Sequence, residues 1–217
     1  MTGRKQYTHS ETFTISYQMT VPTGFDPEKE SLPMIVFLHG AGERGNDLEK
    51  VKVHGIPKLF GKDPDWGGLR VITLSPQCPE GIIWDNLVLP LKKLIEEIAE
   101  ETNADRSRIT LTGLSMGGFG TWQMICTYPE MFAAAAPICG GGLSWRTGVL
   151  TEMPIRVFHG DADDVVPLCY SQLMTDAVNK AGGNAELTVY PGVGHNSWEP
   201  AYEQTDLIQW LAAQQRK

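Results

Sequence analysis

The sequence lacks the features by which membrane-spanning, secreted and metal-binding chains are usually identified. No apolar run approaches the roughly 18 residues that a bilayer-spanning helix needs, and the opening segment MTGRKQYTHSETF has no apolar stretch of the signal-peptide kind. The cysteines, at positions 78, 126, 139 and 169, show neither CxxC nor paired Cys/His spacing. We therefore expect a cytoplasmic, soluble protein with free, mostly buried thiols and with no metal or cofactor.

Basic residues are also scarce. The chain has 18 Lys and Arg against 26 Asp and Glu, a formal net charge of −8, so we expect neither a nucleic-acid partner nor an anionic membrane surface as a partner. With 41% hydrophobic and 20% charged residues, the composition is that of a folded globular protein. The length of 217 residues predicts one domain over 1–217.

Short apolar runs alternate with helical patterns along the chain. An antiparallel edge strand is predicted over 12–21, and buried strands are predicted over 33–38, 70–74, 108–111, 132–138, 155–158 and 185–190. Helices are predicted over 86–101, 116–128, 168–181 and 201–213. This order predicts the α/β class, with a mainly parallel central sheet and helices on both faces, because parallel neighbours need crossover connections.

The segment from Gly113 to Gly117, GLSMG, fits the pattern GxSxG between a predicted strand and a predicted helix. Such a tight strand-to-helix turn leaves no room for bulky neighbours and exposes the serine hydroxyl at the start of the helix. The sequence therefore predicts Ser115 as a nucleophile.

A serine hydroxyl needs a base, usually histidine. His9 and His54 lie in polar or basic segments away from strand ends, while His39 and His159 precede glycine after apolar strands and are expected to shape loops. His195 lies in a glycine-containing loop between the last predicted strand and the last helix. We therefore predict His195 as the base.

Three carboxylates, Asp161, Asp163 and Asp164, follow the predicted strand 155–158, and the residues alone leave the choice of triad acid among them open. Any of them gives the order Ser, Asp, His, which is typical of α/β-hydrolases and of neither the chymotrypsin nor the subtilisin type. For the oxyanion hole we predict the backbone N–H groups of Met116 and Ala41, the second in the loop HGAGERG.

Four motifs in order, LHGAGERG, GLSMGG, HGDADDVVP and GVGHNSW, resemble those of the α/β-hydrolase superfamily. Within it, the chain resembles the small phospholipase/carboxylesterase-like serine esterases, which include predicted peptidases and relatives of polyhydroxyalkanoate depolymerases. The resemblance implies an α/β-hydrolase fold, hydrolysis of carboxylic esters through an acyl-enzyme, and Asp163 as the triad acid.

Larger relatives carry a helical cap after the strand that is predicted to end near 138, but residues 139–154 are too few for one. We expect no cap domain and an open site bordered by Glu43, Arg44, Trp84, Trp145 and Trp198, acting on a small-molecule or polysaccharide-linked ester. A serine peptidase, an acetyl or feruloyl polysaccharide esterase and a thioesterase are the alternative enzymes. A ligand-binding hydrolase fold without catalysis is the alternative class.

Overall fold

Seven strands form one sheet in the computed structural model, which describes residues 12–216. The strands are β1 Tyr17–Thr20, β2 Met34–Leu38, β3 Ile72–Pro76, β4 Ile109–Leu114, β5 Ala134–Ile138, β6 Pro154–Gly160 and β7 Asn184–Tyr190. Their spatial order is β1-β3-β2-β4-β5-β6-β7, with β1 antiparallel to β3 and all other pairs parallel. The predicted mainly parallel sheet with an antiparallel edge strand is confirmed.

Helices cover both faces of the sheet, as the alternation of elements predicted. They are α1 Gly55–Phe60, α2 Val88–Glu101, α3 Met116–Thr127, α4 Cys169–Lys180, α5 Trp198–Glu203 and α6 Leu207–Ala213. Because successive strand side chains point to opposite faces, Met34 and Val36 pack in one core with α2, α3 and α4. Ile35 and Phe37 pack in the other core with α1, α5 and α6.

The structure departs from the predicted elements in three places. The edge strand is confined to Tyr17–Thr20, and α1 was not predicted. The single helix predicted over 201–213 is two helices. Between them, the Thr205 hydroxyl donates to the carbonyl of Ala201 and accepts from the amide of Leu207, at 2.6 and 3.1 Å. A side chain that bonds to the backbone at a helix end competes with helix continuation, which explains the break.

The segment between β5 and β6 is short, as expected. Its helical content is the 3-10 helix Ser144–Val149, and residues 12–216 contain no separate cap domain over the carboxyl ends of the strands. Of the helices in this part of the chain, none has the length and apolar character that crossing a membrane requires.

The topology places the predicted site residues at one end of the sheet. Parallel strands all end at the same edge, which is where open α/β sheets bind ligands. Ser115 follows β4, and the loop that begins at His39 follows the neighbouring β2. Asp163 and His195 lie in the loops after β6 and β7, which are also neighbours.

Candidate active site

Ser115 occupies a strained turn between β4 and α3. Its backbone has φ 54° and ψ −118°, a conformation that a side chain other than glycine rarely adopts. The turn is compact, since a Cβ on Gly117 would lie 1.9 Å from the carbonyl oxygen of Leu38, and one on Gly113 would lie 2.4 Å from that of Gly117. The two glycines of GxSxG are therefore required sterically.

The side chains of Ser115, His195 and Asp163 form a continuous hydrogen-bonded row. His195 Nδ1 lies 2.8 Å from Asp163 Oδ2, so that nitrogen carries the proton and donates to the carboxylate. The Ser115 hydroxyl then donates to His195 Nε2 at 2.8 Å. The arrangement is that of a Ser-His-Asp triad, and the structure brings together the three residues predicted for it.

Asp163 is held so that one carboxylate oxygen faces His195. Its other oxygen, Oδ1, accepts from the backbone amides of Val165 and Val166 at 2.9 and 2.8 Å. Burial of the carboxylate opposes its ionisation, but the hydrogen bonds from His195 and from these two amides outweigh burial and hold the pKa of Asp163 below its ordinary value. Asp163 is consequently an anion near neutral pH.

The loops after β6 and β7 are joined to each other, which sets the distance between Asp163 and His195. The amide of Ala162 donates to the carbonyl of Val193 at 3.0 Å. The amide of Gly192 donates to the Asp161 carboxylate at 2.6 Å. Asp161 thus holds the histidine loop from the side, whereas Asp163 contacts the imidazole itself.

The backbone amides of Ala41 and Met116 lie at the first positions of two helices beside the serine. Met116 is the first residue of α3, and Ala41 is the first residue of the 3-10 helix Ala41–Glu43. Amides in a first helical turn have no partner within the helix. A Cβ on Gly40 would lie 3.7 Å from the Cβ of Ser115, so this loop passes close to the serine.

Of the two charged residues predicted to border the site, Arg44 has an architectural position. Its Nε donates to the carbonyl of Ala41 at 3.0 Å, and its Nη1 donates to the carbonyl of Ile82 at 3.3 Å. Arg44 therefore ties the loop after β2 to the segment after β3. Glu43 is half-buried, and its Oε2 lies 3.9 Å from Nδ1 of His39 without a hydrogen bond.

The three predicted tryptophans have three different environments. Trp84 is only 1% exposed, and its indole N–H donates to the carbonyl of His39 at 2.9 Å, so the prediction that it borders the substrate is wrong. Trp145 is 79% exposed and lies in a groove with Leu173 on α4. Trp198 packs perpendicular to the His195 ring at a centroid distance of 5.3 Å.

Sequence reasoning missed the apolar groove beside the serine. Ile83, Asp85, Met116 and Phe119 line a cavity of about 310 Å³ next to the elbow. Phe119 lies one helical turn after Ser115, and its ring meets that of Tyr170 edge to face at 5.8 Å. The spacing of Phe119 from the GxSxG serine was an available signal. Ile83 and Asp85, in the segment after β3, reach the groove only through the tertiary fold, so their sequence positions gave no signal.

Cys139, Asp163 and His195 each offer one potential metal-ligand atom, all within 4.8 Å of one another. Burial raises the pKa of the Cys139 thiol to about 12, so it is protonated at neutral pH, whereas metals bind the thiolate. The Asp163 carboxylate and the His195 ring are already hydrogen-bonded to each other. The chemistry of this donor set fits proton transfer at serine better than metal binding.

The parallel sheet, the elbow serine and the triad order define the chain as an α/β-hydrolase. The phospholipase/carboxylesterase family model matches residues 58–211. The chain is 38% identical over 210 residues to an acyl-protein thioesterase 1 of Neurospora crassa, covering 81% of this chain and 83% of that protein. The chain belongs to the phospholipase/carboxylesterase family.

Two further similarities involve longer proteins. A solved structure described as a thermostable esterase matches with a TM-score of 0.85 and 36% identity, over 93% of this chain and 60% of that one. A poly(3-hydroxyalkanoate) depolymerase C of Paucimonas lemoignei is 45% identical over 61 residues, which are 28% of this chain and 15% of that protein. The chain thus spans less than two thirds of the length of both.

Proposed function

We propose that this protein hydrolyses carboxylic esters through an acyl-enzyme formed on Ser115. The observation that carries the proposal is the unbroken row of hydrogen bonds from Asp163 through His195 to the Ser115 hydroxyl, both links at 2.8 Å. A serine hydroxyl is a weak nucleophile at neutral pH until an adjacent base takes its proton. In this row the base is aimed at the serine, and the acid fixes which ring nitrogen is free to act.

The reaction follows from this geometry. His195 Nε2 removes the proton of Ser115 as Oγ attacks the ester carbonyl, and the resulting imidazolium returns that proton to the leaving alcohol oxygen. Water then attacks the acyl carbonyl while His195 takes a proton from it. The bond from the acyl carbon to Ser115 Oγ breaks, Oγ recovers the proton from His195, and the carboxylic acid leaves. Asp163 stays ionised throughout and stabilises the imidazolium, as its lowered pKa supports.

The amides of Met116 and Ala41 are proposed as the donors to the oxyanion. Both are first-turn amides at the edge of the sheet where Ser115 lies. Each such donor lowers the barrier by about 3 kcal/mol in other serine hydrolases. Arg44 supports this hole indirectly, because its bond to the carbonyl of Ala41 restrains the loop.

The groove lined by Ile83, Met116 and Phe119 is proposed to accept an apolar part of the ester. Ile83 is 44% exposed, although a large apolar side chain favours burial, and its neighbours are partly open too. A substrate group bound there would remove this surface from water. We therefore expect esters with an apolar acyl or alcohol group to be preferred over acetyl esters of small alcohols.

A panel of p-nitrophenyl esters of increasing acyl length tests the function and the groove together. We expect measurable hydrolysis that is absent in Ser115→Ala, with kcat/KM higher for butyrate than for acetate. In Phe119→Ala this chain-length preference should shrink, because the groove loses its largest side chain. A wild-type protein inactive on the whole panel, on acetylated and feruloylated xylan and on an aminoacyl anilide would contradict the proposal.

Thioester hydrolysis is a second candidate, favoured by the similarity to the acyl-protein thioesterase over most of both chains. The same acyl-enzyme would form, with a thiolate as the leaving group. An oxygen ester and a thioester of one acyl chain, compared at equal concentration, separate the candidates. A kcat/KM at least ten times higher for the thioester would assign thioester hydrolysis as the function.

The predicted cytoplasmic location stays a prediction.

A further inference from the structure

We propose that His159 is a positioning residue for Asp163. Its Nε2–H donates a hydrogen bond to the loop whose amides bind the Asp163 carboxylate. The inference rests on the proposed function, since it assigns a partner to the acid of that same triad. His159 lies within β6, four residues before Asp163, and its side chain is fully buried. It takes no part in the reaction steps proposed for Ser115 and His195.

Both ring nitrogens of His159 have close polar neighbours. Nδ1 lies 2.7 Å from the hydroxyl of Ser171, which itself lies 3.1 Å from the carbonyl of Gly140. Nε2 lies 2.8 Å from the carbonyl of Val166 and 3.2 Å from Asp163 Oδ2. The ring therefore connects α4 on one side with the triad loop on the other.

The neighbours of Nε2 determine which nitrogen carries the proton. A backbone carbonyl oxygen and an ionised carboxylate are both acceptors, so a bare nitrogen in this position would face two repelling lone pairs. The Ser171 hydroxyl has one proton, which it can donate either to the carbonyl of Gly140 or to Nδ1, so it can accept from a protonated Nδ1 or donate to a bare one. The proton consequently belongs on Nε2, where it points at Val166 and lies beside Asp163 Oδ2.

This proton contributes to the geometry of Asp163 through Val166. The carbonyl of Val166 accepts from His159, and its amide donates to Asp163 Oδ1 at 2.8 Å. A shift of Val166 would therefore turn the carboxylate about its own bond and move Oδ2 away from His195. The buried imidazole opposes that shift, and its polarised N–H edge adds favourable electrostatics with Oδ2 at 3.2 Å.

Three titratable groups surround this contact. Asp163 and His195 belong to the triad, and Cys139, at the end of β5, has its thiol within 4.8 Å of the Asp163 and His195 ligand atoms. Burial keeps Cys139 protonated, with its pKa raised to about 12. The anion beside His159 is therefore Asp163, and neutralising it removes the partner of the proposed contact.

His39 provides a built-in comparison. It also precedes glycine and is buried, 1% exposed, although it lies directly after β2 whereas His159 lies inside β6. Its Nε2, however, accepts from the amide of Cys78 at 2.9 Å, and its Nδ1 donates to the carbonyl of Gly40 at 2.6 Å. His39 and His159, the two buried histidines that precede glycine, are thus expected in opposite tautomers.

Nuclear magnetic resonance of the intact protein labelled with ¹⁵N-histidine tests the protonation directly. Two-bond ¹H–¹⁵N correlations at pH 7 should show His159 with its proton on Nε2 and His39 with its proton on Nδ1. His159→Gln and His39→Gln serve only to assign the signals. A bare Nε2 on His159 would overturn the proposal whether or not the protein hydrolyses esters.

A pair of substitutions tests the positioning role. An asparagine amide reaches only the place of Nδ1, whereas a glutamine amide reaches the place of Nε2, so His159→Gln can keep the bond to Val166 and His159→Asn cannot. We expect His159→Asn to lower kcat, counted per titrated active site, by about tenfold with KM within about twofold. His159→Gln should recover most of that loss.

The decisive control is the same substitution without the acid. If His159 acts through Asp163, then His159→Asn in an Asp163→Asn background should change kcat by less than about twofold, because residues that act as a unit are not additive. An equal loss in both backgrounds, or no recovery by glutamine, would overturn the positioning role. Unreactive Ser115 in the wild type would instead overturn the proposed function and leave the resonance result standing.

Discussion

The two ends of the sheet differ in how their residues are held. At the carboxyl ends, Ser115 and Cys139 have positive φ angles of 54° and 40°, and polar side chains converge through hydrogen bonds. At the amino ends of β5, β6 and β7 lies a cavity of about 540 Å³ bordered by Met153, Asn184 and Arg216. Within residues 12–216, the polar side chains that line this larger cavity do not converge in a comparable hydrogen-bonded row.

Backbone strain and the convergence of polar side chains mark the site better than cavity volume does. Backbone strain persists only where the surrounding structure enforces it, and it clusters at functional sites. Asn103 also has a positive φ, of 48°, but asparagine tolerates that conformation in turns. The smaller groove of about 310 Å³ beside the serine is therefore the one that we assign to substrate.

Among the changes at the carboxyl ends of the strands, replacing the triad acid should have the largest effect on activity. We expect Asp163→Asn to lower kcat on the order of 10⁴-fold, because an asparagine no longer favours the tautomer of His195 that accepts the serine proton. The matched control is Asp161→Asn, two residues away, which contacts the amide of Gly192 and not the imidazole. Steady-state kinetics on a p-nitrophenyl ester measure both, and equal losses would mean that the acid is assigned wrongly.

The amino end supplies the opposite test. Asn184 lines the larger cavity. Asn184→Ala should leave kcat/KM within about twofold of the wild type, since a surface substitution away from the site perturbs the fold little. The same ester assay measures it at matched protein concentration. A tenfold or larger loss would break the distinction between the two ends.

Steric demand at the elbow should appear as a loss of stability. Gly117→Ala places a methyl group against the carbonyl of Leu38, and we expect the free energy of unfolding to fall by about 3 kcal/mol. Gly148→Ala meets no atom within 4 Å and should change it by less than about 1 kcal/mol. Urea unfolding compares the two, and similar values would refute the packing argument.

The pH dependence of stability should report on Asp163. Its pKa is lower in the folded protein than in the unfolded chain, so its contribution is present above the unfolded value, about 3.9, and is lost as the pH falls through the folded value. The gap in Tm between the wild type and Asp163→Asn should therefore narrow between pH 7 and pH 3. A gap that widens on acidification would contradict the lowered pKa.

Thiol reactivity should distinguish a buried cysteine at the carboxyl ends of the strands from an exposed one, and this is the smallest of the expected effects. Burial raises the pKa of Cys139 to about 12, whereas Cys169 is exposed at the start of α4. Because the thiolate is the reactive form, iodoacetamide on the native protein should alkylate Cys169 and spare Cys139. Peptide mass mapping checks this, and Cys139 should react once the protein is unfolded in urea.

Most of the fold was predictable because its signals are local. Runs such as Met34–Leu38 are apolar throughout, as expected of strands covered on both faces. The helix predicted over 201–213 failed because the Thr205 hydroxyl ends one helix and caps the next, a contact that periodicity does not reveal. Boundaries set by single side chains were the weak point.

The site was predictable where chemistry restricts the residue type. Ser115 and His195 stood out from their motifs, and Asp163 rested on family resemblance because three neighbouring carboxylates looked alike. Trp84 was misplaced because a tryptophan in a loop-like segment resembles a surface residue. In the structure Trp84 packs against α3 just after the elbow, and a Cβ on Gly120 would lie 2.6 Å from the Cβ of Trp84.

The reactivity of Ser115 tests the central claim most directly. A fluorophosphonate probe should add covalently to one serine of the native protein, and peptide mass mapping should place the adduct on Ser115. Labelling should vanish in Ser115→Ala and slow by orders of magnitude in His195→Ala. An adduct on another residue, or labelling of the native protein that persists in Ser115→Ala, would contradict the account.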